Sequence, residues 1–210
     1  MTDQKPTPTI VLPEGRLINH SLFAKDQYND KAKPAYKVEL AFPKGTLNDF
    51  YNQCLDAAVE KWGESAESDK NMVMPIKDGD VMVAKREKEG KSGPTTDVYV
   101  GMEVIRANTI YNKHGEDGPG GSQVYGPDVQ EIEAVNQSEV YRGCYGKLAL
   151  VIGTYTDSKT GANALTLYIS AFQKTKDGER LVSQTDHSKH FEPVVIRGGK
   201  EGDGRRSRKG

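Results

Sequence analysis

Two stretches, residues 143–155 and 162–174, constrain the fold more than any others in the chain. Each alternates with period two, as a strand does when its two faces meet different surroundings. In the first, Cys144, Leu148, Leu150 and Ile152 share one face, and Tyr145, Lys147, Ala149, Val151 and Tyr155 share the other. In the second, Leu165, Leu167, Ile169 and Ala171 oppose Thr166, Tyr168, Ser170, Phe172 and Lys174. Asp157-Ser158-Lys159-Thr160-Gly161 lies between them and suits a hairpin loop. The pattern predicts a two-faced hairpin, aliphatic toward a core and mixing rings with lysines on the opposite side.

The rest of the chain extends that β reading. Short apolar runs in residues 10–23, broken by Pro13-Glu14-Gly15, predict strand, and Asp177-Gly178 predicts a turn after the hairpin. Residues 35–42 alternate, with Tyr36, Val38, Leu40 and Phe42 on a core face and Lys37, Glu39 and Ala41 opposite. Val81-Met82-Val83, residues 98–107 and residues 127–135 predict further strands, and residues 137–141 a helical turn. Residues 64–80, 85–94 and 111–126 are polar, charged or Gly-rich and predict loops. One helix stands out. Leu47, Phe50, Tyr51, Cys54, Leu55, Ala58, Val59 and Trp62 form an apolar stripe, suited to core packing and closed by Gly63. Thr46 and Asp49 match a capping start. Many strands with one helix and long loops predict a mainly β small barrel or sandwich with an added helix.

Composition limits the function. Hydrophobic residues make up 35% of the 210, with 22 Gly and 10 Pro, which predicts a modest core with long loops. Cys54 and Cys144 are too few for a disulfide framework and read as buried thiols. No apolar run is long enough to span a membrane and residues 1–9 lack a signal-peptide pattern, so a soluble, cytoplasmic protein is expected. The net charge of -1 is unevenly placed: residues 197–210 carry +4, leaving -5 on the remainder. A nucleic-acid site in the body must therefore be a local groove.

The ring-and-lysine face suggests what such a groove would hold. Bases stack on aromatic rings with little regard to sequence, and lysines and arginines neutralise phosphates. Single strands offer free base faces that a duplex hides. The candidate contacts are Tyr145, Lys147, Tyr155, Tyr168, Phe172 and Lys174 on the hairpin, with Arg142 beside it. Lys33, Lys85, Arg86, Lys88, Tyr99, Arg106, Tyr111, Lys113 and Tyr125 extend the set, whereas Tyr36 belongs with the core. The alternative for the rings is packing against a second sheet or the helix. In the tail, Arg197, Arg205, Arg206, Arg208 and Lys209 resemble disordered RGG-like segments and are expected to add weak DNA contacts, duplex included.

Catalytic chemistry finds no support. Gly90-Lys91-Ser92 matches the end of a P-loop, but Lys85 stands where its first glycine is required. His187 and His190 are three apart without cysteine or carboxylate partners at metal spacing. No enzyme activity, cofactor or metal is expected.

A set of short motifs in order along residues 15–182 adds a resemblance. They are Gly15-Arg16-Leu17, Lys33-Pro34-Ala35-Tyr36, Pro43-Lys44-Gly45, Lys61-Trp62-Gly63 and Pro75-Ile76-Lys77-Asp78-Gly79-Asp80, then Tyr141-Arg142-Gly143-Cys144-Tyr145 and Lys176-Asp177-Gly178-Glu179-Arg180-Leu181. With them the chain resembles the phage single-stranded-DNA-binding proteins of the Enc34 type, related in fold to the T7-type phage proteins. The resemblance implies an OB-fold, a five-stranded partly open barrel that binds single-stranded DNA with little sequence preference during phage replication and recombination. Two features depart from it. The common OB-fold has its helix between the third and fourth strands, whereas the helix here follows the second. Phage and bacterial relatives often end in an acidic tail, whereas this one is basic.

The expected organisation is a flexible segment 1–9, an OB-fold domain 10–185 and a basic Gly-rich tail 186–210. Expected partners are single-stranded DNA, duplex DNA through the tail, further copies along the strand and replication proteins, with no membrane. Two other classes stay open. One is a virion structural or assembly protein using the aromatic face for protein contacts. The other is a nucleic-acid enzyme, which would need a carboxylate–metal cluster.

Overall fold

The chain's order of strands resolves into a barrel. The structure is a computed structural model and describes residues 8–27, 29–30, 32–91 and 94–181. Its strands are β1 (Ile10–Val11), β2 (Gly15–His20), β3 (Tyr36–Pro43), β4 (Ile76–Asp78), β5 (Met102–Thr109), β6 (Gln123–Tyr125), β7 (Tyr145–Thr156) and β8 (Asn163–Lys176). The helices are α1 (Asn48–Trp62), α2 (Gly79–Lys88) and the single turn α3 (Pro94–Asp97). Five strands close on themselves in the order β2-β3-β5-β8-β7, with β7 returning to β2. All neighbours are antiparallel except β5 and β8, which run parallel through Asn108 and Tyr168. That order, 1-2-3-5-4-1 by barrel strand, is the OB-fold. The short strands β1, β4 and β6 add to its edges.

The interior is the aliphatic side of each alternating strand. Tyr36, Val38, Leu40 and Phe42 from β3 meet Leu148 and Leu150 from β7 and Leu167 from β8, all fully buried. Phe50, Cys54 and Ala58 of α1 join the same core. The helix follows the second barrel strand, so it is an insertion, and the strand count made from sequence holds. Between the third and fourth barrel strands the described residues carry β6 and the 3-10 segment Ala134–Glu139 in place of an α-helix. The expected Thr46 cap is not made. The helix starts after Leu47 with no side-chain cap, and the Leu47 N–H donates to Glu103 Oε2 at 3.2 Å.

Two expected strands are corrected. Val81-Met82-Val83 lies within α2, because Asp78 caps that helix by accepting from the Asp80 N–H at 2.8 Å. Its Met82 and Val83 pack on Ile18, Ala41 and Val104, the outer side of β2, β3 and β5, and on Tyr99 in the turn before β5. A Cβ on Gly79 would stand 2.1 Å from the Tyr99 carbonyl oxygen, so only glycine lets the helix start so close to the sheet. Residues 127–135 form no strand; a turn bridges Tyr125 to Glu131, and the 3-10 segment follows.

The hairpin carries a third correction. Ala149 pairs with Ala171 while Leu150 pairs with Ile169, so Ser170 is an extra residue on β8. This bulge inverts the alternation beyond it. Tyr168 stays on the outer face, 47% exposed, but Phe172 turns into the core opposite Leu148 and is 0% exposed.

Candidate nucleic-acid interface

The outer face of β2, β3 and β5 is split by α2. One end is covered by the helix; the other is an open groove of about 580 Å³. Lys33, Lys37, Arg86, Arg106 and Arg142 line it, with Asp26 and Glu39 as its acids. Cations therefore exceed carboxylates although the body of the chain is acidic. Of the sequence candidates, Lys33, Arg86, Tyr99, Arg106 and Arg142 meet here, drawn from separate segments of the chain.

The groove floor is organised around one carboxylate. Glu39 is 8% exposed. Tyr99 Oη donates to its Oε1 at 2.5 Å, and Arg106 Nε donates to its Oε2 at 2.6 Å. Arg86 lies over the Tyr99 ring, 4.7 Å from its centroid. Burial, with the bond to Glu39 second, pushes the Tyr99 phenol up to about 12, so it remains a neutral donor. Burial is the largest single influence and opposes the Arg106 charge, but the bond to Glu39, the Glu39 charge and Tyr99 together raise the arginine's pKa. Tyr99 is itself only 2% exposed. It was a candidate for the groove from sequence and lines it as a floor element, its ring offering no face for stacking. Lys37 is held by Asp26 at 2.9 Å, and Arg142 Nε donates to the Ile18 carbonyl at 3.0 Å.

The groove continues sideways into rings. Lys37 pairs across the sheet with Asn108, Asn108 with Tyr168, and Tyr168 with Val151. Neighbouring strands stand about 5 Å apart, so this single row leads from the cationic groove to an exposed tyrosine within about 10 Å. The Tyr168 ring lies over Gly153, where a Cβ would come within 2.4 Å of its Cε2. The missing side chain thus leaves room for the ring to lie against the sheet. Tyr155 follows two residues along β7, and Tyr111 three residues after Asn108; they are 49% and 54% exposed. Cations beside half-exposed rings can hold phosphates and stack bases together.

The other candidates lie elsewhere. Tyr145, at the far end of β7 from Tyr155, takes Lys176 over its ring at 4.6 Å. Lys174, turned by the bulge, is 12% exposed in its side chain, pairs with Asp177 at 2.7 Å and sits 5.3 Å from the Tyr141 ring. These groups are committed to a local cluster with Glu14 and Arg180. Lys147 is exposed at that same end. Lys113 pairs with Glu131, and Lys85 is exposed on α2. Arg197, Arg205, Arg206, Arg208 and Lys209 lie outside the described residues. Sequence reading missed Lys37, Asn108, Glu39 and Gly153 as site residues. The outward face of residues 35–42 was the available signal for Lys37 and Glu39; only cross-strand register reveals the other two.

Comparison with known proteins agrees with the fold. The chain has the fold of the single-stranded-DNA-binding protein of bacteriophage Enc34 in its C-terminally truncated form, at 21% identity and a TM-score of 0.59 over 82% of this chain and 88% of that one. The same phage protein solved in complex with single-stranded DNA matches at 20% identity and 0.58, over 83% and 89%. The gp2.5 single-stranded-DNA-binding protein encoded by bacteriophage T7 matches at 14% identity and 0.57, over 89% and 96%. A search of curated protein sequences gives no match. The family profile described as the single-stranded-DNA-binding protein of Enterobacter phage Enc34 matches residues 8–203, and the chain belongs to that family.

Proposed function

We propose that this chain binds single-stranded DNA with little sequence preference, phosphates in the groove and bases on the row of rings beside it. The observation that carries the reading is the Lys37–Asn108–Tyr168 row, which joins the cationic groove to an exposed ring on one continuous sheet face. Family membership and the fold of a relative solved with single-stranded DNA support it. The contacts proposed are Lys33, Lys37, Arg86, Arg106 and Arg142 for phosphates and Tyr168, Tyr155 and Tyr111 for bases. Stacking is nearly indifferent to base identity, which accounts for the lack of sequence preference. The role served is protection and organisation of single strands during phage DNA replication and recombination, in the host cytoplasm and without catalysis. Further copies along the strand and replication proteins are the partners of that role.

The test is fluorescence anisotropy of labelled oligo-dT titrated with the chain at several salt concentrations. Binding that weakens as salt rises supports the reading; no binding at low salt rejects it. The basic tail is proposed to add duplex binding. Truncation after Ile196 is then expected to weaken binding to duplex DNA and flatten its salt dependence, and unchanged duplex binding at low salt would remove the tail from the account.

A further inference from the structure

A buried acid at the floor of a groove for a polyanion is electrostatically unfavourable to that ligand, and Glu39 stands there between Tyr99 and Arg106. Its bonds explain its presence. One oxygen accepts from Tyr99 Oη and the other from Arg106 Nε. Tyr99 in turn supports Arg86 on its ring face. An arginine has five N–H donors. Glu39 takes the Nε donor, and the Arg106 side chain stays 47% exposed to the groove. Without that hold, a long side chain on an outer strand face would lose rotamer freedom on meeting a phosphate.

The geometry points to Glu39 and Tyr99 as positioning residues for DNA, a buried acid–phenol pair that sets Arg106 directly, and Arg86 through the ring, before the strand arrives. The inference rests on the DNA-binding reading above. It predicts a sign opposite to simple electrostatics. Removing the Glu39 charge makes the groove more positive, yet it frees Arg106 and so weakens binding.

Oligo-dT anisotropy titrations at several salt concentrations test this on the full chain, with circular dichroism and a urea melt reporting the fold of each variant. Glu39→Gln is expected to weaken binding about threefold to tenfold, the weight of ordering one rotamer-rich side chain. Tyr99→Phe changes no charge at neutral pH and is expected to weaken binding in the same direction. In an Arg106→Ala background, Glu39→Gln is expected to weaken binding less than it does in the unchanged chain, because only the hold on Arg86 through Tyr99 is left against the charge removal, and an equal weakening there overturns the direct hold on Arg106. Equal or tighter binding by Glu39→Gln in the otherwise unchanged chain overturns the inference. Should that variant fail to fold, Tyr99→Phe decides, and its binding as well as the parent overturns it. Failure of the unmodified chain to bind oligo-dT rejects the underlying DNA reading instead.

Discussion

Tyr168 and Phe172 lie four residues apart on one strand, and the bulge at Ser170 gives them opposite roles. Replacing each by alanine should separate stability from binding. Phe172 is fully buried, packed so close to Gly146 that a Cβ there would be 2.3 Å from its Cζ. Phe172→Ala empties a core site and is expected to cost about 3–5 kcal/mol of stability. That is a large part of the roughly 5–15 kcal/mol a domain holds. The affinity of the protein that remains folded should be unchanged. Tyr168 is 47% exposed, so about half its surface is already in water. Tyr168→Ala should therefore cost stability by no more than about 1.5 kcal/mol. Loss of one base stack, about 1–3 kcal/mol, should weaken oligo-dT binding roughly 5- to 150-fold. Urea denaturation gives the first quantity for both variants, and anisotropy titration at concentrations corrected for the folded fraction gives the second. If Phe172→Ala lowers the affinity of the folded protein as much as Tyr168→Ala, the bulge does not divide the strand as described.

Three further outcomes follow from the same geometry. Gly153→Ala puts a methyl where the Tyr168 ring lies and should weaken oligo-dT binding severalfold while Tyr168→Ala in that background adds little; titration of the single and double variants checks this. Lys33→Ala should weaken binding equally for all sequences and reduce the slope of log K against log salt by about 0.7, the share of one phosphate contact on a single strand. His20 is held below its usual value of 6.5, first by burial and then by Arg142, with a backbone bond at Val140 opposing. Its Nδ1 is buried without a hydrogen-bond partner. Below pH 6.5 the unfolded chain takes up a proton that the folded one resists, so stability should fall with pH until the lowered folded value is passed. Urea midpoints between pH 7 and 5 should show that decline, and His20→Gln should flatten it.

The hairpin and α1 were legible because their periodicities are local and long. Leu148, Leu150 and Leu167 announce the core by alternation alone, and the OB-fold follows once Tyr36–Pro43 and Met102–Thr109 are placed beside them. Phe172 was misplaced because a bulge leaves no local mark: Ser170 looks like any outward residue until its pairing is known. The burial of Tyr99 was not legible for a related reason. It comes from α2, a helix whose three apolar residues look like a strand unless Asp78 is recognised as a cap. The arginines of the groove were each visible as candidates. Their convergence was not, since Arg86, Arg106 and Arg142 come from distant segments brought together by the sheet. Lys37 was assigned its outward face, yet only the pairing with Asn108 and Tyr168 shows that this face belongs to the site.

The central claim is that a strand runs from the cationic groove onto Tyr168 and its neighbours, and photo-crosslinking tests it most directly. An oligo-dT carrying 5-iododeoxyuridine at single positions is bound, irradiated and digested with trypsin, and the crosslinked residues are found by mass spectrometry. The account predicts crosslinks at Tyr168, with Tyr155 or Tyr111 at other positions along the oligonucleotide. Crosslinks confined to Tyr141 and Tyr145 at the opposite end of β7, with Tyr168 unmodified, would contradict it.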